Sequence, residues 1–359
     1  MNMFDNLSRE RLRDILGAGG SHDALFAAAR EALLDEPGDG VYLRGLVEVS
    51  NRCVKNCLYC GLRRERTDIR RYEMSGEEVK AALETGYRLG LRSFLLQSGE
   101  LPGKAFTEKM AGILEWCSAN LPGARMVLSM GELAPEDYDL LRKSGGHRYL
   151  LRIETSSAEL YRRFHPNDPL HSHFRRIRAL EYLRDSGWQT GTGVLIGLPG
   201  QNESHLADDL LFMKKINVDM VGMGPYVECP GTPVAEADDI PPVEKRVALT
   251  LRMIALARLT MPGINIAATT ALQTLCPGGL EKGLMAGANV IMPNLTPGIY
   301  REDYDLYDGK VRVHDSPGEM LEIIRRACAR TGRRLMLNDP GDPPHYRTRM
   351  EEERNGKHG

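Results

Sequence analysis

Short apolar runs bounded by turn residues recur along the chain. They read "GLVEVS" (45–50), "SFLLQSG" (93–99), "RMVLSMG" (125–131), "RYLLRIET" (148–155), "TGTGVLIG" (190–197), "DMVGMGP" (219–225), "INIAATT" (264–270) and "NVIMPN" (289–294). Such runs predict strands. Helix-like stretches such as "GEEVKAALETGYRLG" and "FRRIRALEYLRDSG" lie between them. Strand and helix alternate eight times over roughly 250 residues, the usual size of a (β/α)8 barrel. The pattern predicts an α/β fold, a complete (β/α)8 barrel rather than an open doubly wound sheet. Two amphipathic helices precede it, one around 7–16 and one after Ser21 that "DEPGDG" ends. The expected organisation is a helical extension over 1–40, the barrel over 41–335, and a proline-rich, then charged tail over 336–359 with a disordered end.

In such barrels the active site sits on the loops leaving the C-terminal strand ends. Three of the seven cysteines stand in the first of these loops, "SNRCVKNCLYCGLRR", as Cys53, Cys57 and Cys60. Structural zinc takes four ligands, usually in paired C-x2-C elements, and here the fourth would have to come from far away. A buried trio without a ligand is a second bland alternative, but a loop carrying Lys55 and Asn56 is poorly suited to burial. Iron–sulfur clusters use cysteine thiolates, normally four to a [4Fe–4S] cube, so three would leave one iron open to a chelating substrate.

The C-x3-C-x2-C spacing resembles the radical S-adenosylmethionine superfamily. That resemblance implies an open iron holding the amino and carboxylate groups of S-adenosylmethionine, and reductive cleavage to methionine and a 5′-deoxyadenosyl radical. It also implies that Tyr59 packs against the adenine. "QSGE", with Ser98, Gly99 and Glu100, is similar to the element along the methionine moiety, and "GVLIGLPGQ" to the one presenting backbone to the adenine. Arg152 and Glu154 of "RIE" share one side of an alternating strand. They are either a structural ion pair or contacts to the cofactor.

Further segments, "LLQSGE", "YLLRIET", "ATTALQTLCPGG" and "GANVIMPNLTPGIYREDYDLYDGK", resemble the HydE type of [FeFe]-hydrogenase maturase over roughly residues 40–335. This implies that Glu154 and Arg176, or its neighbour Arg175, hold the methionine moiety. Ser129, Thr269, Thr270 and Tyr300 would face a substrate cavity, the substrate being an iron–cysteine complex with carbonyl and cyanide ligands. An electron donor such as flavodoxin or ferredoxin, and other hydrogenase maturases, would be partners. Two departures stand out: Ile153 occupies a position where at least one member has histidine, and only Cys328 lies late enough for a second, C-terminal cluster, which is therefore expected to be absent. An amino-acid mutase of the methylornithine-synthase kind is the alternative within enzymes, and a metal-carrying scaffold without catalysis the alternative outside them.

Composition narrows the partners. With 42% hydrophobic and 27% charged residues the chain reads as a soluble globular protein, and a net charge of −2 argues against nucleic acid. No apolar run is long enough to span a membrane. The odd number of scattered cysteines suits a reducing cytoplasm better than a disulfide framework.

Overall fold

Each of the eight apolar runs carries strand in the computed structural model, which describes residues 7–304, 306, 307, 309 and 317–356. These are β2 (Gly45–Ser50), β3 (Ser93–Ser98), β4 (Arg125–Ser129), β5 (Gly146–Leu150), β6 (Gln189–Thr192), β7 (Leu195–Ile196), β8 (Met220–Val221), β9 (Gly224–Pro225), β10 (Asn265–Ala268) and β11 (Val290–Ile291). Two more strands, β1 (Gly40–Leu43) and β12 (Arg334–Met336), were not apparent in the pattern. Two runs split because Gly193 and Gly222 cross closely: a Cβ on Gly193 would sit 1.9 Å from Gly222 O.

The main sheet runs β12-β1-β11-β10-β8-β6-β5-β4-β3-β2, and every ladder in it is parallel. The helices between successive strands cover its outer face, and residues such as Val47, Leu96, Leu128 and Ile266 are buried. The expected complete barrel of eight strands is not what forms. A ten-stranded sheet curls round until β2 meets the segment after β11, and there the seam is a single bridge, Leu46 with Asn294. Leu46 N–H donates to Pro293 O and Leu295 N–H to Leu46 O, both at 2.7 Å. The physical reason is proline. Pro293 lacks an N–H and cannot extend a ladder, so β11 stops after two residues, while β1 inserts between β11 and β12.

The two opening helices form at Arg9–Gly17 and Asp23–Asp35. Ser8 caps the first, its side chain accepting from Arg11 N–H; it packs on the helices Glu203–Ile216 and Val243–Thr260, and the second packs on Val243–Thr260. Beyond β12 the proline-rich segment carries a helix, Pro344–Gly356, and docks at the N-terminal end of the strands. There Asp342 accepts from the buried Arg148 at 2.7 Å, Gly341 O from Asn265 at 2.8 Å, and Asp219 from His345 and Arg349 at 2.9 and 2.8 Å. The end of the tail, 357–359, lies outside the described residues. No helix among the described residues is long and apolar enough to cross a membrane.

Candidate active site

After β2 the chain enters the cysteine loop. Arg71 ties that loop to itself, its guanidinium donating to the carbonyls of Asn51, Leu62, Arg63 and Arg66 at 2.6–3.0 Å. The "QSGE" turn after β3 is stitched to the same loop. Val54 N–H donates to Glu100 O at 2.9 Å, and Glu100 N–H to Cys53 Sγ at 3.3 Å. Gly99 is required by this packing, since a Cβ there would sit 2.2 Å from Arg52 O. Cys53, Cys57 and Cys60 line one end of a cavity of about 320 Å³ that continues into the barrel. Burial raises all three thiols, Cys57 to about 12, although Arg176 and Lys55 favour its thiolate. Metal binding there must displace protons.

Lys55 and Asn56 are buried, contrary to the expectation for this loop, because each has found partners. The Lys55 ammonium lies 3.2 Å from Glu100 and 3.4 Å from Glu132. Arg176 completes a buried quartet, 2.6 Å from Glu132 and 3.8 Å from Glu100. Two cations and two carboxylates balance, which is what makes their burial tolerable. Burial raises the Glu100 carboxyl, whereas the direct contact with Arg176, helped by Lys55, outweighs burial and holds Glu132 low.

Arg152 and Glu154 form a two-pronged ion pair at 2.8 and 2.9 Å. Arg152 also donates to Gly222 O and Val194 O, and Arg176 donates to Arg152 O. Strand β5 has ended by then, and Glu154 sits at φ +65°, a left-handed conformation rare outside glycine. Ile153, beside it, is buried with its N–H on Thr192 Oγ1. The turn that follows is held by Asp209, whose Oδ1 accepts from Ser156 N–H and Oγ, each at 2.6 Å. Burial pushes the Asp209 carboxyl from 3.8 up to about 7. Between those values the folded chain keeps a proton that the unfolded chain has lost, so stability falls as pH rises through that window. Asp209→Asn is expected to remove this slope. Melting temperatures of wild type and variant measured from pH 4 to 8 check it, and parallel curves would mean that Asp209 is ionised throughout.

All the site residues expected from the sequence line this cavity except Arg175 and Tyr300. Adjacent residues on a helix point about 100° apart, and on His173–Asp185 it is Arg176 that faces inward. Arg175 is exposed and donates to Pro169 O. Tyr300 stacks on Tyr72 and donates to Glu78 at 2.7 Å, on the outer side. Sequence reasoning missed Lys55, Glu132, Glu48, Gln97, Tyr304 and Tyr307; of these all but Glu132, which reaches the site through Arg176, line the cavity. One signal for Glu132 was present: "SGE" and "MGE" end successive strands, β3 and β4.

Comparison with known proteins decides the family. A family model described as "Radical SAM superfamily" matches residues 47–213. The [FeFe] hydrogenase maturase subunit HydE of Thermotoga maritima is 39% identical over 331 residues, 91% of each chain. The chain belongs to the radical SAM superfamily, in the HydE type of hydrogenase maturase. A 3-methylornithine synthase of Methanosarcina barkeri is more distant, 26% identical over 85% of this chain and 83% of its own. Two solved structures share the fold. Methylornithine synthase has a TM-score of 0.76 at 22% identity over 92% of this chain and 95% of its own. The FeFe-hydrogenase maturase HydG of Carboxydothermus hydrogenoformans has 0.78 at 21% over 93% and 77%.

Radical SAM membership brings a [4Fe–4S] cluster and S-adenosylmethionine as cofactors, and the donor set of this HydE-type chain suits them. Three free thiols stand on one loop. Among the described residues no such side chains are gathered closely enough to ligate a single ion. The carboxylates and guanidinium beside the trio match the amino and carboxylate groups of an amino-acid moiety.

Proposed function

We propose that this chain acts in assembling the diiron subcluster of an [FeFe] hydrogenase, on an iron–cysteine precursor with carbonyl and cyanide ligands. One observation carries the reading: the cysteine loop and the hydroxyls of Ser129, Thr269 and Thr270 open on the same cavity. Cys53, Cys57 and Cys60 would hold the cluster, which would supply the electron for reductive cleavage of S-adenosylmethionine. The residues divide the remaining work. Glu154 and Arg176 hold the methionine ammonium and carboxylate, with Arg152 keeping Glu154 in register. Tyr59 gives the adenine an aromatic wall. Among the described residues Thr269 Oγ1 is buried with no partner, a donor left for the substrate, since a buried hydroxyl without a hydrogen bond is costly. A one-electron donor of the flavodoxin or ferredoxin kind, and other maturases, are the partners this chemistry calls for.

The methylornithine-synthase reading draws on Glu48, a buried carboxylate on the cavity wall where a lysine-like ammonium could settle. The two readings separate in one assay. The anaerobically reconstituted enzyme, given S-adenosylmethionine and reductant, is offered the iron–cysteine complex or lysine. Consumption of the complex but not of lysine supports hydrogenase maturation, and the reverse defeats it. In the same assay Thr269→Val and Thr270→Val should lower turnover of the complex about tenfold, the scale of one hydrogen bond in a closed site. Cofactor cleavage without substrate should stay near wild type. An equal loss in both would move the threonines into the cofactor site.

A further inference from the structure

Residues 161–171 play no part in the assignments above, yet they grip the chain on both sides of Cys57. Leu58 N–H donates to Phe164 O at 2.9 Å, and the Lys55 ammonium reaches the Leu170 carbonyl. Asn56 N–H donates to His171 Nε2 at 2.8 Å. The Tyr59 hydroxyl meets His165 Nε2 at 3.2 Å, the two rings edge to face. Both histidines are buried, and each is fixed again through its other nitrogen. His171 Nδ1 lies 2.7 Å from Asp168 Oδ1, and His165 Nδ1 lies 2.8 Å from Tyr161 O.

These contacts set the tautomers. An amide N–H only donates, so His171 Nε2 is bare and its proton sits on Nδ1, facing a carboxylate. A carbonyl only accepts, so His165 likewise carries its proton on Nδ1 and offers Nε2 to the phenol. His165 also stacks on Tyr161, with ring centroids 3.7 Å apart, so its plane is fixed as well.

We propose that His171, oriented by Asp168, and His165 are positioning residues for the cysteine loop. They hold the backbone before Cys57 and the side chain after it, so that the loop presents its thiols to one cluster. They also keep the Asn56 amide bonded to nitrogen and away from sulfur. Hydrogen bonds to the sulfurs are among the factors that set the reduction potential of an iron–sulfur site, and a donated N–H stabilises the more negative, reduced form. Engaging that amide therefore keeps the potential low, as a strongly reducing step requires. The inference rests on reading the trio as the cluster site.

The test uses the full chain, anaerobically reconstituted, with two readouts that need no turnover: the rate at which a ferrous chelator strips iron, and the reduction potential followed by electron paramagnetic resonance. His171→Ala is expected to lose iron about fivefold faster, the scale of one hydrogen bond, and to shift the potential upward. His171→Gln, whose side-chain carbonyl can accept the same N–H, should restore both. Wild-type stripping rate and potential in His171→Ala would overturn the proposal. So would a glutamine variant that folds but behaves like the alanine one, because imidazole bulk rather than the acceptor would then matter. If the alanine variant does not fold, Asp168→Ala carries the same comparison, with a faster loss expected and an unchanged one fatal. Failure of the wild type to take up iron would instead sink the cluster reading itself, and this inference with it.

Discussion

Cys57→Ala is expected to fall from about four irons per chain to nearly none after anaerobic reconstitution, and to make no 5′-deoxyadenosine. A [4Fe–4S] cube held by three protein thiolates has no spare ligand, and two remaining thiols cannot close it. The other four cysteines, Cys117, Cys229, Cys276 and Cys328, are buried, and of these Cys229 is a neighbour of the trio. It is close enough for its charge to raise the Cys60 thiol, and its sulfur accepts from Arg66 at 3.4 Å. Iron analysis and Mössbauer spectroscopy decide the matter. A residual cluster signal in Cys57→Ala that vanishes in Cys57→Ala/Cys229→Ala would show Cys229 substituting. A signal surviving in the triple Cys53/Cys57/Cys60→Ala variant would mean that iron is held elsewhere.

Arg176→Ala should have the second largest effect, and it acts on stability as well as on cofactor binding. It leaves Glu100 and Glu132 buried with Lys55 alone, one uncompensated negative charge, and breaking a buried pair in this way costs about 3–5 kcal/mol. Denaturant unfolding should report that loss. S-adenosylmethionine affinity of the reconstituted protein should drop at least about tenfold, because a charge-assisted hydrogen bond is worth ~1.5–3 kcal/mol. The stability deficit has a sign in pH. With the guanidinium gone, burial raises Glu100 further and is less opposed at Glu132, so the folded state takes up a proton and the deficit shrinks as pH falls from 7 towards 5. Glu132→Gln in the same background restores charge balance and should recover part of the stability but not the affinity. Unchanged unfolding in Arg176→Ala would mean that water already reaches the quartet.

The parts of this molecule that were legible in the sequence are those written in local pattern. Eight apolar runs gave eight strand positions, and the cysteine spacing pointed to its cofactor without any coordinates. The parts that were not legible depend on residues far apart in the chain. Strands β1 and β12 are too short to show a period and exist because they pair with each other and β1 pairs with β11. Complete closure was the natural expectation from alternation, and Pro293 limited it at one position. Burial of Lys55 was unreadable because its partners, Glu100 and Glu132, stand 45 and 77 residues further on. Arg175 and Arg176 could not be told apart until the phase of one helix was known. The family resemblance implied that Tyr300 faces the cavity, yet Glu78, the residue completing the cap of another helix, draws it outward.

The docked segment at the N-terminal end of the strands has a kinetic consequence. Arg148, Asn265 and Asp219 are all held by residues 341–349, which stopper that end of the barrel. A path into the cavity from the cysteine end passes the place where S-adenosylmethionine is expected to sit. A molecule that enters by that path and binds beside Thr269 and Ser129 arrives before the cofactor, and its product leaves after methionine and 5′-deoxyadenosine have gone. The expected kinetics are therefore compulsory-ordered, with substrate first on and its product last off.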